Sequence, residues 1–155
     1  MTTDLGFGQI VFDCVRADQL AGFWSTLLEL PVRAGANQYF AVIEQSSDRS
    51  FPSLMFIAVP EPRQGKNRLH LDLTSGDLPA AIERAVSLGA SKVGDFNEYG
   101  TTWTTLADPE GNVFDIAQRR DQISGLTGPR NPRTERVLLG FGQLGMCLRT
   151  PRPGP

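Results

Sequence analysis

Apolar and polar positions alternate along several short segments of the chain. Residues Gln9–Cys14, which read QIVFDC, are rich in strand-forming residues and alternate in part, so they predict a strand. Further strands are predicted at Tyr39–Glu44 and Ser53–Val59, with the polar turn SSDRSFP between them. The first half of the chain therefore opens with one strand and ends with short strands.

The segment between these strands has the period of a helix. Apolar residues recur at the spacing of one helical face at Leu20, Phe23, Trp24, Leu27 and Leu28. Asp18 is the predicted N-cap. The Leu30-Pro31 pair should end the helix, because the residue before a proline disfavours helical backbone.

The second half repeats this order. A strand with clean alternation is predicted at Arg68–Leu73, followed by a helix that Asp77 caps and Gly89 stops. Further strands are predicted near Ser91–Val93, at Thr101–Leu106 and at Val113–Ala117. Aligning the halves places Gln9 opposite His70 and Ile57 opposite Asp115. The repeat predicts an α+β protein made of two tandem βαβββ modules, about residues 7–60 and 66–118, packed into one sheet or barrel.

Alternation also assigns polar residues to one face of the predicted sheet. If the amphipathic helices cover the apolar faces, the opposite face carries Gln9, Asp13, His70, Asp72 and Asp115. In a curled mixed sheet with the helices outside, these groups converge on a cavity. Alternatively, Asp13 and Asp72 point to solvent from an open sheet and His70 is structural. Trp103 belongs either to the core or to the cavity lining.

Composition divides the chain in two. The 155 residues are 40% hydrophobic, which suits one domain, predicted to span residues 1–120. The remaining segment, 121–155, is rich in Arg, Pro and Gly. It is interpreted as a mobile extension or, alternatively, as a segment that docks on the domain or on a partner subunit; a basic arm for nucleic acid is the least favoured interpretation.

Charge and cysteine content exclude several classes of protein. The net charge is −2 and the pI about 5.4, so no nucleic-acid partner is expected. Cys14 and Cys147 are too few and too far apart for a disulfide framework or a CxxC site. We find no signal peptide and no apolar stretch long enough to span a membrane, so no membrane partner and a cytoplasmic location are expected.

Three segments resemble the glyoxalase-like branch of the vicinal oxygen chelate superfamily, which includes glyoxalases, bleomycin resistance proteins and extradiol dioxygenases. VPEPRQGKNRLHLDL, Val59–Leu73, resembles the signature that joins the two halves of these domains. DPEGNVFDI, Asp108–Ile116, resembles their closing segment, and FDCVRADQLAGFWSTLLELPV their opening strand and helix. The similarity covers residues 7–118.

The resemblance implies the paired βαβββ fold with a U-shaped sheet that cups a site. It also implies four metal-ligand positions, which fall on Gln9, Ile57, His70 and Asp115. Here the sequence departs from the family pattern, because the amide of Gln9 is a weak ligand and Ile57 cannot bind a metal. Asp115 is a candidate for either ligand or general base. One imidazole and one carboxylate fall short of the three protein ligands usual at a catalytic zinc.

Three functions remain open on this basis. The first is sequestration of a cationic or aromatic small molecule, as in bleomycin resistance, with no cofactor required and with Asp13, Met55, Ile57, Asp72 and Trp103 as binding residues. The second is a metal-dependent lyase or isomerase in which His70, Asp115 and Gln9 hold a divalent ion (Zn, Ni, Mn or Fe). The third is a non-catalytic dimerisation or regulatory domain. The resemblance implies a homodimer, because members of the family commonly form dimers, and the unpaired edges of the predicted sheet also favour one.

Overall fold

A computed structural model describes residues 4–44 and 51–119, and predictions for the tail fall outside this part of the chain. The described residues contain, in chain order, β1 (Gln9–Cys14), α1 (Ala17–Leu28), β2 (Phe40–Ile43), β3 (Ser53–Ala58), β4 (Asp72–Ser75), α2 (Leu78–Ser87), β5 (Ser91–Glu98), β6 (Thr101–Ala107) and β7 (Val113–Gln118). Neither helix is long and apolar enough to cross a membrane.

The strands form two mixed sheets, one for each half of the sequence. The first has the order β1-β3-β2 and the second the order β4-β7-β6-β5. In each sheet the first strand of the module lies parallel to its last strand, and the other pairs are antiparallel. A single bridge between Val32 and Ile43 stands where the first module would have a fourth strand. The predicted α+β architecture of two βαβββ modules is therefore confirmed.

The strand predicted at Arg68–Leu73 is displaced. Strand β4 begins only at Asp72, so His70 precedes the strand instead of lying inside it. The side-chain oxygen of Asn67 accepts the backbone N–H of Val113 at 3.4 Å. That N–H is therefore not available for a ladder bond to residues 68–70, and pairing starts where Asp115 donates its N–H to the carbonyl of Leu71 at 2.9 Å.

The start of α1 also differs from the prediction. Its N-cap is Arg16, which makes no side-chain capping bond, and Asp18 lies in the first turn. The carboxylate of Glu110 accepts the N–H groups of Val15 and Arg16 at 2.8 and 3.0 Å. A residue of the second module therefore satisfies backbone donors that precede a helix of the first.

The second module follows its local signals closely. Asp77 caps α2 by accepting the N–H of Ala80 at 3.1 Å, as predicted. Gly89, with φ of 112°, follows the helix in the left-handed region, where glycine carries no steric cost. Strand β5 is longer than predicted, because it continues past an irregularity between Lys92 and Gly94.

The core joins the modules through aromatic rings. Trp24 on α1 packs against Phe114 on β7, with ring centroids 4.9 Å apart. Within the first module, Phe12 on β1 stacks on Phe56 on β3 at 5.1 Å. The indole Nε1 of Trp24 also donates to the carboxylate of Asp108 at 3.3 Å, and both side chains are buried. The first helix is therefore held by the last strand and by the turn before it.

Cys14 is a buried thiol in this core. Its Sγ donates to the carbonyl of Ile57 at 3.3 Å. Burial, reinforced by the negative charges of Glu110 and Asp13, raises the pKa of the Cys14 thiol to about 11. The thiolate, which is the nucleophile, is therefore scarce at neutral pH.

We expect iodoacetamide to alkylate Cys14 at least ~100-fold more slowly than free cysteine at pH 8, because both thiolate and access are lacking. The measurement uses a Cys147→Ser variant and mass spectrometry over time. The same variant in denaturing urea is the control and should react at the rate of free cysteine. Equal rates with and without urea would contradict a buried, protonated thiol.

Candidate functional site

A cleft of about 890 Å³ lies between the two modules. One wall is β1 and the backbone that follows it, and the other is the connecting segment before β4 together with the turn before β7. Apolar side chains alternate there with charged ones: Val11, Val59 and Leu69 line it beside Asp13, Glu61, Arg63, Arg68 and His70. This mixture of apolar walls and a few polar groups is typical of small-molecule sites.

His70, Asp72 and Asp115 come together in the second module, and of the three only His70 lines the cleft. His70 Nδ1 lies 2.8 Å from Asp72 Oδ1 and 3.9 Å from Asp115 Oδ2. Strands β4 and β7 are parallel, and Asp72 pairs in register with Asp115, so the two carboxylates stand side by side. His70 also lines the cleft and connects the cluster to it.

Asp115 is the most enclosed member of this cluster. Its side chain is 17% exposed, against 34% for His70 and 67% for Asp72. Burial and, next, the charge of Asp72 raise the pKa of Asp115, whereas the hydrogen bond from Thr105 and the nearby His70 and Lys66 oppose the rise. A raised pKa is typical of a general base, whereas a metal ligand binds in its ionised form, and both roles of Asp115 stay predictions.

The three side chains form a group that could hold a metal ion. One ligand atom from each of them lies within 4.8 Å of the other two. Two ligands of one tetrahedral ion, with bonds of about 2.1 Å, are ~3.4 Å apart, so the side chains would have to draw together to hold an ion. One imidazole with two carboxylates suits Mn, Fe or Zn, and three protein ligands leave positions open for a bound molecule.

The sequence predicted the first-module partners differently. The amide of Gln9 donates to Met55 Sδ at 3.3 Å, and Ile57 lies in β3 opposite Asp13. Among these residues, only Asp13 lines the cleft. The structure thus groups Asp72, which the sequence suggested as a binding residue, with His70 and Asp115, and gives Gln9 a sulfur partner.

Trp103 is buried in the second sheet. Its ring stacks on that of Phe96 from the neighbouring strand, with centroids 5.2 Å apart and planes 14° from parallel. Trp103 pairs in register with Ala117, two positions along from the pair of Thr105 and Asp115, and therefore faces the same side as Asp115. It is a core residue by burial and shares the face of the cluster.

Two residues of this region escaped the sequence analysis. Thr105 donates to Asp115, and Phe96 stacks on Trp103, yet neither carries a motif. Their only sequence signal is alternation within predicted strands, since residues of like parity share a face. Alternation does not reveal which strands are neighbours or in what register.

Comparison with known proteins identifies the fold. A sequence model described as glyoxalase-like domain matches residues 9–117, whereas no curated protein sequence matches significantly. One similar structure is a glyoxalase/bleomycin resistance protein/dioxygenase family enzyme from Burkholderia phytofirmans PsJN, at 15% identity and a TM-score of 0.60, covering 72% of this chain and 96% of that one.

Two further structures are similar in fold. Lactoylglutathione lyase from Agrobacterium tumefaciens has 11% identity and a TM-score of 0.55, covering 78% and 97% of the two chains. A mutant of a fosfomycin resistance protein from Listeria monocytogenes, complexed with Mn(II) and 1S,2S-dihydroxypropylphosphonic acid, has 9% identity and a TM-score of 0.60, covering 72% and 88%. Family match and fold agree, and this chain belongs to the glyoxalase-like domain family of the vicinal oxygen chelate superfamily.

Proposed function

We propose that this domain holds a divalent metal ion with His70, Asp72 and Asp115 and binds a small oxygen-bearing molecule beside it. The observation that carries the proposal is the convergence of one imidazole nitrogen and two carboxylate oxygens within 4.8 Å. The similar fosfomycin resistance protein, complexed with Mn(II), supports it from the fold.

Asp72 takes the place of the missing ligands. The family positions at Gln9 and Ile57 supply an amide and an alkyl group. Asp72 lies two residues after His70, beside Asp115, and restores three protein donors. The donor set is therefore assembled within the second module, and the first module contributes cleft walls such as Val11 and Asp13.

The ion, when bound, would polarise an oxygen of the guest molecule as a Lewis acid. The chain's own contribution is to orient that molecule and exclude water from it. Apolar Val11 and Leu69 line the cleft next to His70, and the cationic Arg63 and Arg68 lie along it. This lining suits a molecule with an apolar body and a polar or anionic end. A lyase or isomerase of glyoxalase type would in addition need a carboxylate to move a proton, with Asp115 as the candidate.

Metal analysis tests this proposal. Protein purified without chelator, then incubated with Mn²⁺ or Zn²⁺ and desalted, should retain about one ion per chain. His70→Ala and Asp115→Asn should weaken the affinity by more than ~100-fold, because loss of a direct ligand costs more than loss of its supporting group. Asp13→Asn is the matched control: it removes a carboxylate of the cleft that lies outside the cluster, and should bind metal like the wild type.

A second candidate, sequestration of a cationic aromatic molecule without a metal, is favoured by one observation. Asp13 is exposed in the cleft beside Val11, which is 47% exposed, so an acid and an apolar surface adjoin there. If no metal is retained, and phenyltrimethylammonium raises the melting temperature of the wild type but not of Asp13→Asn, the metal proposal is wrong and the second candidate holds. The homodimer and the cytoplasmic location stay predictions.

A further inference from the structure

Thr105 touches the cluster without belonging to it. It lies on β6 directly opposite Asp115 on β7, so that the two side chains share one face of the sheet. Its side chain is buried, and its Oγ1 donates to Asp115 Oδ1 at 2.5 Å. The other carboxylate oxygen, Oδ2, is the one that approaches His70 Nδ1, at 3.9 Å.

The two carboxylate oxygens of Asp115 therefore have different neighbours, and this difference has a chemical consequence. A carboxylate can rotate about its Cβ–Cγ bond and present either oxygen, or both, to a cation. A hydroxyl hydrogen bond to Oδ1 removes that freedom and leaves Oδ2 aimed at His70. Ligating carboxylates are commonly held by such outer partners, whose loss typically weakens metal binding.

We propose that Thr105 is a positioning residue of the metal site, which holds Asp115 so that Oδ2 is the oxygen it would offer to the ion. The inference rests on the proposed function, since it assigns a role at the same site. It goes beyond that function by naming an uncharged residue on a third strand that orients the least exposed of the three ligands.

The same strand offers a matched control. Thr104, the preceding residue, is also buried and donates from Oγ1 to a carboxylate, Asp95 Oδ1, at 2.7 Å. Adjacent residues of a strand point to opposite faces, so this pair lies on the other side of the sheet. Asp95 is also paired with Lys92 at 2.7 Å. Thr104→Val therefore removes an equivalent hydrogen bond away from the cluster.

The experiment compares Mn²⁺ affinity among Thr105→Val, Thr105→Ser and Thr104→Val, by titration of metal-free full-length protein. Thr105→Val should weaken binding by ~10- to 100-fold, as expected for a supporting group of a metal ligand. Thr105→Ser keeps the hydroxyl and should restore affinity to within a few-fold of the wild type. Thr104→Val should bind like the wild type, although it also loses a threonine–carboxylate hydrogen bond.

The outcomes separate the positioning role of Thr105 from the existence of the metal site. Wild-type affinity in Thr105→Val, or equal loss in Thr104→Val, would overturn the positioning role while leaving the metal site in place. If the wild type itself binds no Mn²⁺ or Zn²⁺, the proposed function fails, and the inference fails with it. Should Thr105→Val not fold, Thr105→Ala replaces it, and rescue by Thr105→Ser remains the criterion.

Discussion

Replacing Phe114 by alanine is expected to lower the free energy of unfolding by about 3–5 kcal/mol. The ring is 1% exposed and lies on β7. It contacts the rings of Trp24 and Phe23 on α1, with centroids 4.9 and 6.2 Å away. Removing it leaves a cavity at the contact between the helix of the first module and the sheet of the second, where neither element can collapse freely.

Urea denaturation followed by Trp fluorescence and circular dichroism measures this loss. Phe114→Leu preserves much of the volume and should cost less than ~1.5 kcal/mol. Val93→Ala, at a β5 position that is 60% exposed, should stay within about 0.5 kcal/mol of the wild type. A Phe114→Ala variant as stable as Val93→Ala would contradict the packing of α1 on β7.

Replacing Asp108 by alanine is expected to cost about 2–4 kcal/mol, because several buried donors lose their acceptor. The residue is 3% exposed. Its carboxylate accepts the N–H groups of Glu110 and Asn112 at 3.0 and 2.9 Å, and the indole N–H of Trp24 at 3.3 Å. One side chain thus shapes the turn before β7 and ties it to α1.

The pH dependence of stability provides an independent check on Asp108. Burial raises the pKa of its carboxyl in the folded protein, against hydrogen bonds from Asn112, Trp24 and Glu110 that lower it. A group whose folded pKa is raised contributes most to stability below its unfolded pKa, and that contribution is lost as pH rises through the folded pKa. Asp108→Asn should therefore lack this part of the acidic pH dependence, and an unchanged profile would contradict the burial of the charge.

Asn112→Ala is the graded comparison in the same turn. It removes side-chain donors to Asp108 and the acceptor for Asn67 but leaves both backbone donors, so the loss should be smaller than for Asp108→Ala. Trp24→Phe keeps most of the ring and removes only the indole N–H. It should also cost less than Asp108→Ala if the carboxylate serves several donors at once.

Local signals in the sequence were sufficient for most elements. The strand at Gln9–Cys14 and the cap at Asp77 lie where the pattern predicts them. Each is encoded by residues a few positions apart, so it can be recognised in the sequence without knowledge of its distant partners. The repeat and the three resembling segments likewise indicated the paired modules and the face that carries His70.

Where distant residues compete, the sequence was insufficient. The predicted cap at Asp18 is wrong, because α1 begins at Ala17 with Arg16 as its N-cap. Glu110, nearly a hundred residues away, accepts the N–H groups of Val15 and Arg16 just before the helix. The strand predicted from Arg68 begins instead at Asp72, because the side chain of Asn67 takes a backbone donor of β7. In both cases the hydrogen bond joins residues that are distant in sequence, 94 positions apart for Arg16 and Glu110 and 46 for Asn67 and Val113.

The contrast between local signals and long-range contacts also applies to the candidate site. By itself the sequence determined the family, the two modules, and the polar face of the strands that carry Asp72 and Asp115, because alternation along a strand is a local property. His70 lies before its strand, so alternation did not fix its position. Only the tertiary structure decided which of these residues meet. The register of β4 and β6 on β7 places Asp72 and Thr105 beside Asp115. Register depends on the packing of whole strands, so it is the long-range pairing that converts single polar positions into a set of metal donors.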